Sequence, residues 1–257
     1  MTFVAAAVCP HPPLLVPEVG GAEPVAARPA ALAAVRQLTA ASPDRIVVVG
    51  DAGDVPAEID YGPATAGTFA GFGVDLSVSL GVEAAVPSAP VLPLSLTVGA
   101  WLLATAGWPG ARTALGVPSG YSARQAAELG QRLVAASDPA ERLGLLVMGD
   151  ASARRTVKAP GALDERAAPF DAAVAAALLG VDPDGLLGLD AGLAADLLVA
   201  GRASWQVLAG ALVAATRDDT PRAAWIGALG YDAAPYGVGY LVAVWIRGDA
   251  AREGAGE

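Results

Sequence analysis

Asp44-Arg45-Ile46-Val47-Val48-Val49-Gly50-Asp51-Ala52-Gly53-Asp54 decides the fold. An unbroken β-branched run that stops at a Gly/Asp turn is the pattern of a strand buried on both faces, as in a parallel sheet. The pattern returns at Leu143 to Met148, stopped by Gly149-Asp150. Thr2 to Val8 is a short apolar run that leads into Cys9-Pro10-His11-Pro12-Pro13, a stretch that cannot be helix interior. Between these strands the apolar spacing turns helical, over Pro29 to Leu38, Leu96 to Ala106, and from the N-cap Ser122 to Ala136. A strand is expected at Thr113 to Val117, and an alternating one, covered on one face, at Val74 to Leu80. Helices are expected over Glu165 to Leu179, Leu186 to Leu198 and Ser204 to Thr216. Strands over Ala223 to Leu229 and Val238 to Ile246 follow, with a turn through Tyr231 to Gly237 between them. The expected architecture is a single α/β domain over residues 1–247, a mixed or parallel central sheet with helices on both faces. Residues 248–257 are small and polar and are expected to form a flexible tail.

The chain has 257 residues, 54% of them hydrophobic and only 16% charged, enough apolar mass for a sizeable core. Its formal net charge of −10 argues against a nucleic-acid partner and against an anionic membrane surface, both of which call for clustered Lys and Arg. The densest basic cluster is local: Arg154, Arg155 and Lys158. Val91 to Trp108 is the stretch to test as a membrane span, but Pro93, Ser95, Thr97 and Thr105 interrupt it, and a buried helix is expected. One cysteine, Cys9, permits no intrachain disulfide and suits a cytoplasmic setting. No basic stretch precedes the apolar start, so a secretory signal is not expected.

Ligands of open α/β sheets bind beyond the carboxyl ends of the strands. His11, the single histidine, sits between prolines at one such end, which fixes its backbone and aims its ring. Asp51 and Asp54 lie on the loop expected to face it. One imidazole with two carboxylates, helped by Asp232 or Glu18, suits a hard divalent ion, while aspartates in such loops also cap turns. Asp150, Ser152 and Arg154 form a third polar group, with Ser152 and Arg154 as the expected catalytic residues and Arg154 or Arg155 expected to grip a carboxylate or phosphate. Ser152 lacks the Gly-x-Ser-x-Gly elbow of a nucleophile. Gly50-Asp51-Ala52-Gly53 lacks both the Walker lysine and the dinucleotide glycine spacing.

The opening strand followed by Pro10-His11-Pro12-Pro13-Leu14-Leu15-Val16-Pro17-Glu18 resembles the start of LigB-type proteins, the class III extradiol ring-cleavage dioxygenases. Asp44 to Gly50, Met148 to Arg154 and Pro160 to Asp171 are similar to later segments of that family, in the same order. The resemblance implies a non-haem Fe(II) ligand at His11. It also implies a second histidine ligand near Asp51-Ala52 and an acid/base histidine at Ala153, and this chain has neither. A 2-His-1-carboxylate iron site needs two imidazoles. The expectation is therefore a LigB-like protein with an incomplete iron site, acting as a binding or partner protein. Its ligand would be a small aromatic or carboxylate-bearing molecule, with no nucleic acid and no membrane, and with assembly as a homo-oligomer or partner subunit. The alternative is a metal-dependent oxidoreductase on a small aromatic substrate, using Fe(II) or another divalent metal at a site remodelled around His11, Asp51 and Asp54.

Overall fold

The computed structural model describes residues 2–21, 25–81, 91–136, 138, 140–216 and 222–248. The strands are β1 (Thr2–Cys9), β2 (Arg45–Asp51), β3 (Ile59–Tyr61), β4 (Ala66–Thr68), β5 (Ser77–Ser79), β6 (Ala111–Val117), β7 (Arg142–Met148), β8 (Trp225–Ala233) and β9 (Tyr240–Arg247). The helices are α1 (Pro17–Gly20), α2 (Ala27–Ala40), α3 (Leu94–Thr105), α4 (Ala123–Ala135), α5 (Ala167–Leu179), α6 (Pro183–Leu187), α7 (Ala191–Asp196) and α8 (Arg202–Ala215).

Seven strands form one sheet in the order β3-β6-β2-β7-β1-β9-β8. β1, β7, β2 and β6 run parallel, and β9, β8 and β3 are antiparallel to their neighbours. β1 therefore lies between β7 and β9, with Thr2 opposite Arg142 and Ala5 opposite Ile246. The β-branched run of β2 is buried on both faces as its pattern requires: Val47 and Val49 join the core under α4, α5 and α8, and Ile46 and Val48 the core under α2 and α3. The single-chain α/β architecture with helices on both faces is thus the one expected. The stretch 91–108 is α3 with its flanks, and among the described residues no helix is long and apolar enough to cross a membrane.

α4 begins on a capping box, with the Ser122 hydroxyl accepting from the Gln125 N–H and the Gln125 amide oxygen accepting from the Ser122 N–H. It then crosses α8 at backbone contact. A Cβ on Gly130 would lie 2.0 Å from the Val207 carbonyl oxygen, and one on Gly210 2.1 Å from that of Ala127.

Three expectations are corrected. The strand expected over Val74 to Leu80 shrinks to Ser77–Ser79 and leaves the main sheet, pairing with Ala66–Thr68 in a ribbon against α3. The alternation there reports Val78 and Leu80 packing beneath that ribbon. The helix expected over Leu186 to Leu198 is two, because Asp190 accepts from the Leu193 N–H at 2.6 Å and starts a new one. The turn expected from Tyr231 begins later, since β8 absorbs a register shift between Leu229 and Tyr231 and runs on to Ala233. The expected tail lies outside the described residues except for Gly248.

Candidate functional site

Parallel strands end at one edge, and here that edge is laced by backbone bonds between the loops leaving it. Gly149 N–H donates to the Cys9 carbonyl at 2.9 Å, Ala52 N–H to Val117 at 2.9 Å, Ser119 N–H to Gly53 at 3.0 Å and Gly201 N–H to Asp150 at 2.9 Å. The loops after β1, β2, β6 and β7 and the start of α8 are thereby held together.

His11 is 8% exposed. Its backbone N–H donates to Asp150 Oδ1 at 2.8 Å, and its ring Nδ1 lies 3.9 Å from the same oxygen, beyond hydrogen-bond reach. Nδ1 is buried with no hydrogen-bond partner. Asp51, at the end of β2, is half-buried, and burial pushes its carboxyl above the usual range, against the pull of the Gly53 backbone N–H, His11 and Arg202. The loop of His11 and the start of α8 meet at Asp150, whose side chain accepts from the His11 N–H at 2.8 Å and whose carbonyl accepts from the Gly201 N–H at 2.9 Å.

Arg202 is the residue that sequence reasoning missed. It opens α8, is 5% exposed, and donates from Nη1 to Gln206 Oε1 at 2.8 Å and from Nη2 to the Ser119 carbonyl at 2.6 Å. The available signal was an arginine at the first position of an apolar helix, where the helix dipole disfavours a cation. Tyr240, at the start of β9, is buried. Burial, then the neighbouring Asp150 charge, pushes its phenol up, so it stays neutral.

The remaining expected residues do other work. Ser152 is fully buried: its N–H and its hydroxyl donate to Asp171 Oδ1 and Oδ2 at 2.9 and 2.8 Å, and Arg155 donates to Oδ2 at 2.9 Å. This is a structural clamp on the loop after β7, in place of the catalytic role expected for Ser152. Arg154 folds back on its own loop, donating to the Gly161 carbonyl, with Nε buried and unpartnered. Arg154 and Arg155 each spend one Nη1 donor inside the protein, on the Gly161 carbonyl and on Asp171. Ala153, where the resemblance implies an acid/base histidine, is tied through its backbone to Leu197 and Gly161 at 3.0 Å each.

Asp54, Glu18 and Asp232 are exposed, and among the described residues no group of three or more His, Cys, Asp or Glu is placed to hold a metal ion. The set His11, Asp51 and Asp54 is therefore not assembled, and the residues present do not fit Fe(II) or a harder divalent ion. Cys9 is core: its thiol is fully buried and faces the Ala31 carbonyl at 3.8 Å. A separate open groove of about 560 Å³ lies between the start of α5 and the α6–α7 turn, lined by Phe170, Leu189 and Leu193 among others. None of His11, Asp51, Asp150 or Arg202 lines it.

No family model and no curated protein matches the chain. Among solved structures it is similar to the uncharacterized protein JW3007 from Escherichia coli K12, with a TM-score of 0.53 and 18% identity over 95% of this chain and 99% of that one. That likeness concerns the fold alone: an α/β chain built on a mostly parallel central sheet.

Proposed function

We propose that this chain is a degenerate LigB-type protein that binds a small molecule at the strand-end cleft of His11, Asp51, Asp150 and Arg202, and that it does not open catechol rings. The reading supposes a cytoplasmic protein acting alone or as a partner subunit. The observation that carries it is the donor set. The chain owns one imidazole, and no third ligand stands with His11 and Asp51 among the described residues. Ring cleavage by this class needs a metal that holds catechol and oxygen together. What remains is a place of the usual kind for a ligand in an open α/β sheet, where the buried His11 Nδ1 has no hydrogen-bond partner.

The test is metal analysis of the purified protein, with a spectrophotometric ring-opening assay on catechol in the presence of added Fe(II). Substoichiometric metal and no ring-opened product are expected. Stoichiometric iron that disappears in His11→Ala, together with catechol opening, would overturn the reading in favour of a remodelled oxidoreductase.

A further inference from the structure

We propose that the groove between the start of α5 and the α6–α7 turn is a second binding site, and that it takes an apolar molecule carrying one ammonium group. The groove is separate from the strand-end cleft, and its assignment does not depend on how that cleft is read.

The groove has a volume of about 560 Å³, within the range of small-molecule sites. Its apolar walls are Phe170 on one side and Leu189 and Leu193 on the other. Phe170 is buried and the two leucines are half-buried against the same core, so the walls are anchored from behind. The room between them has a local origin. Ala173 and Gly188 are the small residues of the lining, and the chain breaks between α6 and α7 where Asp190 caps the second helix. The result is an apolar surface that the chain itself leaves open.

The rim sets the sign of the charge that fits. Glu165 and Asp190 both line the groove and are exposed. Asp190 Oδ1 accepts from the Leu193 N–H, and among the described residues neither carboxylate has a cation within ion-pair distance. Arg166 also lines the groove, but Asp164 holds it at 2.8 Å and Asp196 at 3.3 Å. Glu165 and Asp190 stand beside the starts of α5 and α7, where each helix end offsets about half a charge. The two carboxylates therefore keep roughly one negative charge between them, which suits a monocation and repels a carboxylate. Arg202, whose charge also reaches Asp190, lies outside the lining.

The test titrates the full chain with n-octylamine and with n-octanol, which has the same chain without the charge, by calorimetry at low ionic strength. Native protein should bind the amine about fivefold tighter, the scale of exposed charge pairs, and added salt should shrink the difference. The double variant Glu165→Gln/Asp190→Asn, in which asparagine still caps α7, should bind both equally. Ala173→Trp, an exposed position whose new ring would fill the groove, should lose both, while His11→Ala should change neither. Equal binding of the two compounds by native protein, or binding of neither, would overturn the assignment. So would binding that survives Ala173→Trp and is lost in His11→Ala, which would put the amine in the strand-end cleft instead.

Discussion

The backbone N–H of His11 donates to the side chain of Asp150 at 2.8 Å, joining the ends of two adjacent parallel strands across 139 residues of sequence. The bond fixes where the imidazole starts from, so the site geometry depends on a carboxylate that is itself part of the site. Asp150→Ala should cost about 1.5–3 kcal/mol, the usual worth of a hydrogen bond to a charged group. Asp150→Asn, which keeps an acceptor, should cost less than half of that. Urea denaturation of the two variants checks the ordering, and equal losses would mean that the bond contributes little.

The clamp around Asp171 should be the more sensitive one. Its carboxylate is 1% exposed and accepts from Ser152 twice and from Arg155 once. Asp171→Ala leaves a guanidinium and two donors without their acceptor, for an expected loss of about 3–5 kcal/mol. Ser152→Ala removes one hydroxyl and should cost about 1 kcal/mol. Denaturant midpoints of the two variants read this ranking, and a Ser152→Ala loss as large as that of Asp171→Ala would refute it.

Asp51 should show the opposite sign. Burial raises its folded-state carboxyl above the ordinary 3.8. A raised carboxyl binds its proton more tightly in the folded chain than in the unfolded one. Its contribution to stability is therefore greatest below the unfolded value and is lost as pH rises through the folded value. Asp51→Asn removes that penalty and should raise the melting temperature at neutral pH, with no gain near about pH 3, where the native carboxyl is already protonated. A gain of equal size at both pH values would rule out the electrostatic cause.

The crossing of α4 and α8 gives a steric prediction. Gly210→Ala would place a methyl against the Ala127 backbone, and backbone does not yield as a flexible side chain does. A loss of about 1–3 kcal/mol is expected, although alanine is the better helix former by about 1 kcal/mol. A stabilised variant would show that the two helices can part without penalty.

Much of the fold was legible because buried parallel strands announce themselves. Ile46 to Val49 and Leu145 to Met148 are apolar without interruption and stop at glycine, and both lie inside the sheet where that pattern places them. The strand order was not legible, since nothing local in Tyr240–Arg247 marks it for the seat beside β1. The site divides in the same way. His11, Asp51 and Asp150 sit at strand ends and could be located by counting strands. The partners of Ser152 and Arg202 could not, because Asp171 lies 19 residues away on a helix and the Ser119 carbonyl 83 residues away. Asp54 misled for a related reason: three residues past the strand end, a loop has already turned its side chains to solvent.

The position of β1 has a consequence for how the molecule comes to be made. Thr2–Cys9 precedes both of its neighbours, which are supplied by residues 142–148 and 240–247. During synthesis this strand emerges with both edges bare and must wait until almost all of its partners have left the ribosome. Such long-range closure slows folding and leaves an apolar ribbon open to misassociation meanwhile. Of the strands in the seven-stranded sheet, Thr2–Cys9 waits through the longest stretch of chain for its first partner.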